Sequence, residues 1–332
     1  MRADLRAMFL LHPTIFPWDL AILALIAFFG AGTLLCLFWR RRHPRAHVLS
    51  RLCVGSLGIL SLLGMLAIVY GSFVEPRLLV VTERTVRFPS IHPLKIAVIS
   101  DLHVGPYKDS AFVRRVVQKT NMLFPDLVLL AGDFLFDGES EMTELEPLKD
   151  LRASLGVFAV AGNHDGGRYL TLARRPYAGT DRTTELAVYL RTLGIRVLEN
   201  EREVVQLPDQ EIAVAGIDDI WSPGSSLDDA LRNLPDGMPT ILLAHNPDVV
   251  LDTLSQKAHL IVAGHTHGGQ IRLPLLGPVP PLPTKLGEKY DQGLFAIDDT
   301  TTLAITRGAG ETLARARLFA WPEILLLTTT VR

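Results

Sequence analysis

Residues 94–103 read LKIAVISDLH, and the pattern of this stretch indicates the fold class. Its first seven residues form an apolar run of strand length, rich in Ile, Val and Leu. A run without alternating polar positions is typical of a strand that is covered on both faces, as in an α/β sandwich. Two polar residues, Asp101 and His103, stand directly behind the run.

The same pattern recurs along the chain. Further strand-like runs are DLVLLA (126–131), GVFAVA (156–161), EIAVAG (211–216), TILLAH (240–245) and HLIVAG (259–264). Amphipathic stretches between them predict helices, and shorter apolar runs near the C-terminus predict more strands. The helices are expected at 109–123 and 183–193, the late strands at 294–297, 302–306 and 323–329, and a Pro- and Gly-rich loop at 273–287. These patterns predict an α/β fold.

Polar side chains follow five of these runs, where each predicted strand ends. The nine residues in question are Asp101, His103, Asp133, Asn163, His164, Asp165, His245, His265 and His267. Because ligands of α/β sheets bind at the carboxyl ends of the strands, we expect the side chains to meet at one edge of the fold. A Gly-Asp or Asp-x-His motif alone is ordinary turn sequence, so the joint occurrence in five segments carries the prediction.

The residue types predict a metal site. Carboxylate, imidazole and amide oxygen suit Mn, Fe, Zn or Ni, and the absence of thiolates argues against a structural zinc site. Seven ligands are too many for one ion but suit two ions that share a carboxylate. Asp101 and His103 project to the same side of an extended segment and can reach one ion together. Gly132, Gly162 and Gly264 are expected to let the backbone turn sharply at the strand ends.

With the motif GHTHGGQ at 264–270, the sequence resembles the calcineurin-like metallophosphoesterases, in particular their membrane-associated bacterial branch. The resemblance extends from residue 94 to about 328 and includes Tyr290–Gly293, Arg307-Gly308 and Pro322-Glu323. It implies a four-layer α/β-β/α sandwich with the site between two sheets. It also implies a ligand set for each of two divalent ions, of Mn²⁺, Zn²⁺ or Fe²⁺ type. Metal one takes Asp101, His103, Asp133 and His267, and metal two takes Asp133, Asn163, His245 and His265.

Two such ions would hold a bridging hydroxide and neutralise phosphoryl oxygens during an in-line displacement. His164 is next to a ligand without being assigned to a metal, and we expect it to donate to a phosphoryl oxygen or to protonate the leaving oxygen. Asp165 is expected to orient His164, with a simple turn residue as the alternative. Lys108, Arg168 and Lys285 lie in loops that could contact phosphate, although long basic side chains in loops are usually just solvated.

Two uncharged apolar runs, 21–39 and 53–73, are each long enough to cross a bilayer as a helix. A buried core helix, or a cleaved signal peptide for the first run, is the alternative. The predicted organisation has four parts: a tail at 1–20, a two-helix transmembrane anchor at 21–73 with a basic loop at 40–51, a linker and leading strand at 74–93, and the catalytic domain at 94–332.

The loop between the two runs contains five arginines, whereas the N-terminal tail contains Arg2 and Arg6. The positive-inside rule puts this loop in the cytoplasm and the catalytic domain on the other side of a bacterial inner membrane, in the periplasm. The arginines could instead lie on anionic headgroups. Both cysteines, Cys36 and Cys53, fall in or beside the membrane runs, so the catalytic part has no thiol or disulfide.

Beyond residue 76 the chain has 26 basic and 32 acidic residues, a net charge near −6, so we expect no nucleic-acid partner. The first expectation is a hydrolase acting on a phosphorylated small molecule or lipid in the membrane or envelope. Relatives within the resemblance cleave UDP-2,3-diacylglucosamine-type lipid precursors, and a pyrophosphatase of this kind facing the cytoplasm is one alternative. A metal-binding membrane sensor without catalysis is another. The sequence does not indicate an oligomeric state.

Overall fold

Two six-stranded sheets pack face to face at the centre of the molecule. The structure is a computed structural model that describes residues 16–170 and 176–330, so most of the predicted tail 1–20 lies outside the described residues. The helices are α1 (Phe16–Arg42), α2 (Val48–Val69), α3 (Ser110–Asn121), α4 (Thr183–Thr192) and α5 (Leu227–Leu231). The strands are β1 (Val80–Arg87), β2 (Lys95–Ile99), β3 (Leu127–Ala131), β4 (Gly156–Val160), β5 (Arg168–Leu170), β6 (Pro176–Ala178), β7 (Arg196–Val197), β8 (Glu201–Leu207), β9 (Gln210–Gly216), β10 (Thr240–Leu243), β11 (Leu260–Ala263), β12 (Arg272–Leu273), β13 (Gly277–Pro278), β14 (Gly293–Ala296), β15 (Thr302–Ile305) and β16 (Glu323–Thr330).

The first sheet has the strand order β1-β16-β2-β3-β4-β7, and the second has the order β14-β15-β11-β10-β9-β8. β2, β3 and β4 pair in parallel, so their carboxyl ends lie at one edge of the first sheet. β10 and β11 are likewise parallel neighbours in the second sheet. β1, from the segment predicted as a linker and leading strand, forms the outer strand of the first sheet beside β16.

The core is built from both faces of each sheet, as β3 illustrates. Leu127, Leu129 and Ala131 face the apolar layer between the sheets. Val128 and Leu130 face the outer layer, which contains α3 and α4. α5 and short 3₁₀ turns cover the outer face of the second sheet. The order of layers is therefore helix, sheet, sheet, helix, which confirms the four-layer sandwich.

Both amphipathic helices that the sequence predicts, at 109–123 and 183–193, are present as α3 and α4. α3 begins after Asp109, whose carboxylate accepts a hydrogen bond from the Phe112 N–H at 2.9 Å, and its apolar stripe is buried. α4 ends two residues before Gly194, which has φ +81° as expected of a helix stop. The segment predicted as a loop at 273–287 is irregular except for the two-residue strands β12 and β13, which form a small hairpin.

α1 and α2 form an antiparallel hairpin whose outer surface is apolar and exposed. Only 6% of the residues in the most apolar part of each helix are buried, so neither is a core helix of a soluble domain. The helices approach closely where small residues face the partner helix. A Cβ on Gly32 would lie 2.6 Å from the Ser61 Oγ, and a Cβ on Gly58 would lie 3.0 Å from the Cys36 Cβ. Small residues at helix crossings are typical of membrane helices.

One end of the α1–α2 hairpin contacts the sandwich, and the other end, which has the basic loop, lies far from it. The beginning of α1 contacts the sandwich through Asp19, whose carboxylate lies 3.8 Å from the Arg315 guanidinium. α2 continues through a π turn at Tyr70–Val74 and a 3₁₀ turn at Glu75–Arg77 into the same region. Since α1 has 27 residues and is about 40 Å long, the basic loop lies at the far end of the hairpin.

Candidate metal centre

The nine polar residues predicted at strand ends converge where β2, β3 and β4 face β10 and β11. Asp101, His103 and His245 are fully buried, and Asp133, Asn163, His265 and His267 are at most 5% exposed. Buried polar groups in such number are costly unless each has a partner. The structure thus brings together all seven side chains that the sequence predicts as ligands.

The backbone at these positions is strained. Left-handed φ angles occur at Asp101 (53°), His103 (46°), Asp133 (54°), His265 (69°) and His267 (52°). Residues other than glycine rarely adopt this conformation, and each instance costs of the order of 1–3 kcal/mol. Its concentration at five of seven candidate ligands shows that the fold bends the backbone to aim these side chains at one another.

The glycines beside the ligands serve two purposes. Gly132 has φ +81°, as the prediction of a sharp turn requires. Gly162 and Gly264 also begin turns, because their carbonyls accept from the Gly166 and Thr266 N–H groups, but neither glycine has a left-handed φ. They are needed for space instead, because a Cβ on Gly162 would lie 2.2 Å from the Asp133 Oδ1 and a Cβ on Gly264 would lie 2.6 Å from the Asp101 Oδ2.

One group of ligand atoms comes from Asp101, His103 and His267. The His103 Nε2 lies 3.2 Å from the His267 Nε2, and the His267 Nε2 lies 3.4 Å from the Asp101 Oδ1. A second group comes from Asp133, His245 and His265. The His245 Nε2 lies 3.1 Å from both the His265 Nδ1 and the Asn163 Oδ1.

Asp133 connects the two groups through one oxygen. Its Oδ2 lies 3.6 Å from the His103 Nε2 and 3.2 Å from the His245 Nε2. Its other oxygen, Oδ1, accepts a hydrogen bond from the His164 N–H at 2.8 Å. The carboxylate is therefore held by the loop after β4 while one oxygen faces both groups.

The donor chemistry fits cations. The His245 Nδ1 faces the Ala131 carbonyl at 2.7 Å and the His265 Nε2 faces the Pro283 carbonyl at 2.9 Å, so these nitrogens carry the ring protons. In the neutral rings, the His245 Nε2 and the His265 Nδ1 are then bare. Both point at each other and at carboxylate and amide oxygens. Converging lone pairs of this kind repel unless a cation or a proton lies between them.

The electrostatics agree with this reading. Burial lowers the pKa of His245, but the Asp133 carboxylate more than offsets this effect and raises the pKa to about 10. Burial and the neighbouring His245 lower the pKa of His265 to about 3, and burial and His164 lower the pKa of His103 to about 3. Without metal, the site accordingly concentrates its positive charge on His245, in the place where a cation would bind.

His164 lies beside the first group, with its ring 4.6 Å from that of His103. Its Nδ1 lies 2.7 Å from the Phe136 carbonyl, and its Nε2 lies 3.3 Å from the Thr312 Oγ1. The ring is half-buried and borders the cavity at the site. The Phe136 carbonyl therefore has the orienting role that the sequence assigned to Asp165.

Asp165 does something else, and the expectation that it orients His164 is wrong. Its carboxylate accepts hydrogen bonds from the backbone N–H groups of Phe134 (3.3 Å), Leu135 (2.9 Å) and Gly162 (2.9 Å). Burial, and then the nearby Asp133, raise its pKa to about 7. The side chain thus ties the loop after β3 to the loop after β4, the two loops that carry Asp133 and Asn163.

The basic residues predicted as phosphate contacts are not gathered at the cluster. Lys108 is 5% exposed, lies 3.1 Å from Glu311 and donates to the Pro76 carbonyl, so its predicted phosphate role is wrong. The Arg168 guanidinium lies 3.6 Å from Asp181 and borders a separate cavity. The Lys285 N–H donates to Asp248, while the role of its ammonium group stays a prediction.

Several residues at the site escaped the sequence analysis. Arg317 is fully buried, donates to the Gly310 and Ala320 carbonyls, and lies 3.4 Å from the His267 Nδ1. Gln270, the last residue of GHTHGGQ, donates to the Thr312 carbonyl and accepts from the Thr312 N–H. It thereby holds Thr312 beside His164. The sequence gives no signal for the contact between Arg317 and His267 or for that between Gln270 and Thr312, because the partners are 50 and 42 residues apart.

A cavity of about 320 Å³ opens on the cluster. Asp133, Asn163, His265 and His267 border it on one side. Aromatic and aliphatic residues form much of the remaining wall, including Trp221, whose ring contacts that of His265 at 4.9 Å. The metal candidates are therefore accessible to a ligand from one direction.

Comparison with known proteins agrees with the geometry. The sequence profile of the family described as calcineurin-like phosphoesterase matches residues 94–269, the segment that contains all seven candidate ligands. The uncharacterized metallophosphoesterase YkuE of Bacillus subtilis is 31% identical over 271 residues, which cover 78% of this chain and 88% of YkuE.

Two further relatives have more specific names. The phosphodiesterase YaeI of Escherichia coli is 32% identical over 238 residues, covering 71% of this chain and 82% of YaeI. The UDP-2,3-diacylglucosamine pyrophosphatase LpxG of Chlamydia muridarum is 27% identical over 305 residues, covering 78% of this chain and 92% of LpxG. The similarity to all three extends over most of their length.

Proposed function

Because the chain belongs to the calcineurin-like phosphoesterase family, we propose that its buried cluster holds two divalent cations and hydrolyses a phosphoester or pyrophosphate bond. The position of the Asp133 Oδ2, within 3.6 Å of the His103 Nε2 and 3.2 Å of the His245 Nε2, carries the proposal. An oxygen in this position can be shared by both cations.

Each cation would have four protein ligands, with Asp133 common to both. The first set is Asp101, His103, Asp133 and His267, and the second is Asp133, Asn163, His245 and His265. Nitrogen and oxygen donors without thiolate suit Mn²⁺, Zn²⁺ or Fe²⁺. When bound, two such ions supply a water-derived nucleophile at neutral pH and neutralise charge that develops on the phosphoryl group.

His164 is the proposed general acid. The Phe136 carbonyl accepts a hydrogen bond from the Nδ1–H group, and the Nε2 is the ring atom that faces the cavity wall at Thr312. In the protonated ring, the Nε2 can donate to a phosphoryl oxygen or protonate the leaving oxygen.

We further propose that the substrate is associated with the membrane or envelope. α1 and α2 are long and apolar enough to cross a bilayer, and their outer surfaces are exposed. The five arginines at the far end of the hairpin favour a cytoplasmic loop and a multi-pass protein of the bacterial inner membrane. The catalytic domain would then face the periplasm.

A second candidate is supported by the similarity to LpxG. A pyrophosphatase that acts on a UDP-diacylglucosamine-type precursor would need the active site on the cytoplasmic side. The two candidates therefore differ in membrane orientation, which can be measured directly.

Metal content and turnover test the proposed activity. The full chain, purified in lipid nanodiscs, is expected to contain close to two transition-metal ions per molecule and to release 4-nitrophenolate from 4-nitrophenyl phosphate or bis(4-nitrophenyl) phosphate. Loss of turnover with a chelator and recovery with Mn²⁺ or Zn²⁺ would support the metal role. Bound metal without turnover of either ester would instead favour a sensor.

Reporter fusions test the orientation. An alkaline phosphatase fused behind residue 332 is active only outside the cytoplasm, whereas a green fluorescent protein exported in the unfolded state is dark. An active phosphatase and a dark fluorescent protein would support the periplasmic domain. The reverse result would favour the cytoplasmic pyrophosphatase.

A further inference from the structure

The cavity at the cluster has a wall that the catalytic reaction does not require. Beside the candidate ligands, the lining includes Trp221, Ile271, Leu282 and Leu313. It also includes the three prolines that flank Leu282, at positions 280, 281 and 283. Leu282 is only 3% exposed. A pocket for a phosphate group alone would be expected to present positive charge, whereas the side chains of this wall are aliphatic or aromatic and none is cationic.

Trp18 completes this wall, and it belongs to the first helix of the anchor, which begins at Phe16 and not at the predicted residue 21. It lies in the first turn of α1, is half-buried, and borders the same cavity as Asp133 and His265. A residue of a helix long enough to span a bilayer is therefore part of the cavity that contains the candidate metal ligands. The cavity thus extends from the metal cluster to the base of the anchor.

The anchor is joined to the sandwich at the start of α1 and beyond the end of α2. Asp19, next to Trp18, is 3% exposed and lies 3.8 Å from the Arg315 guanidinium. Beyond α2, the fully buried Glu75 accepts from the Phe319 and Ala320 N–H groups at 3.0 and 2.7 Å. These partners all belong to segment 311–321, which also supplies Leu313 to the cavity. The position of Trp18 is consequently held by buried contacts.

An exposed apolar hairpin adjoins the same opening. Leu275 and Leu276, at the turn between β12 and β13, are fully and 76% exposed. The residues at the base of the hairpin, Ile271 and Pro280, line the cavity. Exposed leucines beside bilayer-length helices suit contact with lipid rather than water. The opening of the cavity therefore lies where the anchor meets the sandwich, at the level expected for the bilayer surface.

We infer that this cavity binds the apolar chain of a lipid phosphoester drawn from the adjoining bilayer, with Trp18 of the anchor helix as part of the binding wall. The inference rests on the proposed hydrolase function and adds to it the chemical class of the substrate. A headgroup phosphate at the metal cluster and a chain along Trp18, Leu282 and Leu313 would occupy the two chemically different parts of one cavity.

A homologous series of probes separates chain recognition from catalysis. Methyl, butyl and octyl 4-nitrophenyl phosphate share one scissile bond, and water cleaves each to 4-nitrophenolate and the alkyl phosphate. With the full chain in nanodiscs, and each probe below its micelle concentration, kcat/KM is expected to rise at least about tenfold from methyl to octyl. A single methylene moved from water to an apolar wall favours binding by about fourfold, so a partial gain over seven methylenes suffices.

Variants of two aromatic residues of α1 identify the wall. Trp18→Ala is expected to lower the octyl-to-methyl ratio of kcat/KM at least about threefold, and Trp18→Phe is expected to restore most of it. Phe28→Ala is the matched control, because Phe28 is 70% exposed on the same helix and is expected to keep the wild-type ratio. Partition of the octyl probe into the nanodisc affects all variants equally and cancels in this comparison.

The outcomes are distinct. A wild-type ratio near one, or the same ratio in Trp18→Ala and Phe28→Ala, would overturn the chain-binding site while leaving the hydrolase intact. No turnover of the three diesters or of 4-nitrophenyl phosphate by metal-loaded protein would overturn the proposed function, and the inference with it. Turnover of 4-nitrophenyl phosphate alone would leave the hydrolase function standing and would overturn the inference, because the octyl chain would then promote no cleavage. Metal content measured in each variant shows whether the substituted chain has folded.

Discussion

The interior of the sandwich and the carboxyl ends of its strands are built from the same segments, yet burial has opposite consequences in the two regions. Within β3, Leu127 and Leu129 are fully buried among other apolar side chains. Two residues after the strand ends, Asp133 is 2% exposed among imidazoles. Burial in the first region stabilises the fold through the removal of apolar surface from water. In the second region burial of polar side chains costs free energy, and the backbone that places these side chains is itself strained.

The apolar interior therefore stabilises the fold, whereas the polar strand ends destabilise it. The interior needs no ligand. The strand ends collect lone pairs and, among the candidate ligands, two carboxylates that bound cations would satisfy. Substitutions in the interior should therefore change stability with metal content preserved, and substitutions at the strand ends should change metal content and activity with the fold preserved.

The largest expected effect is that of Asp133→Asn. Since one oxygen of Asp133 faces both groups of ligands, we expect loss of both metals and a fall in kcat of at least about 10³-fold, because several kcal/mol of charge stabilisation disappear. Metal analysis and steady-state kinetics measure the two effects. Asp236→Asn, at an exposed position, is the control. Unchanged metal content in Asp133→Asn would show that the carboxylate is not shared.

His164→Ala should come next. We expect kcat to fall by about 10²–10³-fold with both metals retained, because a positioned proton donor contributes about this much. Esters with a poor leaving group should be affected more than 4-nitrophenyl esters, whose leaving oxygen needs no proton. His92→Ala, with an exposed ring paired to Asp209, is the control. Full turnover of His164→Ala on an alkyl ester would exclude the acid role.

Leu129→Ala tests the interior. It should lower the free energy of unfolding by about 2–5 kcal/mol, because the side chain is fully buried between the sheets and leaves a cavity. Metal content per folded molecule should not change. Denaturant unfolding of the nanodisc-bound chain measures the stability, with Val204→Ala, 42% exposed, as the control. If Leu129→Ala lost metal but kept the wild-type free energy of unfolding, the proposed division between a stabilising interior and metal-binding strand ends would be wrong.

Asp165→Asn should have the smallest effect and should affect both regions. The carboxylate joins two loops through three backbone N–H groups, and an amide in its place turns one acceptor into a donor. We expect a loss of about 1–3 kcal/mol in stability, with weaker metal binding, because Asp133 and Asn163 lie on the joined loops. Thermal unfolding with and without chelator measures this. An exposed control, Asp209→Asn, should change neither quantity, and an unaltered Asp165→Asn would mean that the loops hold without this link.

The sequence predicted those features that a single segment can display. An apolar run followed by Asp or His is visible in one dimension, and so is a bilayer-length run without charge. The strands from 94 onward, α3 and α4, and the convergence of polar residues at strand ends were therefore predictable. That the seven residues bind metal stays a proposal, and so does the orientation in the membrane.

Contacts between distant segments were not predictable. Asp165 is next to His164 in sequence, and adjacency suggested that they interact. In the fold, its carboxylate accepts from three backbone N–H groups instead, and two of these, at Phe134 and Leu135, are 31 and 30 residues away. Lys108 lies in a loop, and loops suggested solvent, but the chain beyond α2 covers it and Glu311 neutralises it.

Single segments of the sequence are enough to predict the α/β alternation, the two apolar helices and the residue types that suit a metal, because periodicity and side-chain chemistry are properties of each segment. The folded chain was needed to show that one oxygen of Asp133 faces two groups of ligands, that Phe136 and not Asp165 orients His164, and that Trp18 borders the cavity. These contacts arise because the two sheets pack face to face. The packing brings β2, β3 and β4 opposite β10 and β11, which follow 80 or more residues later, and no local pattern records which segments meet.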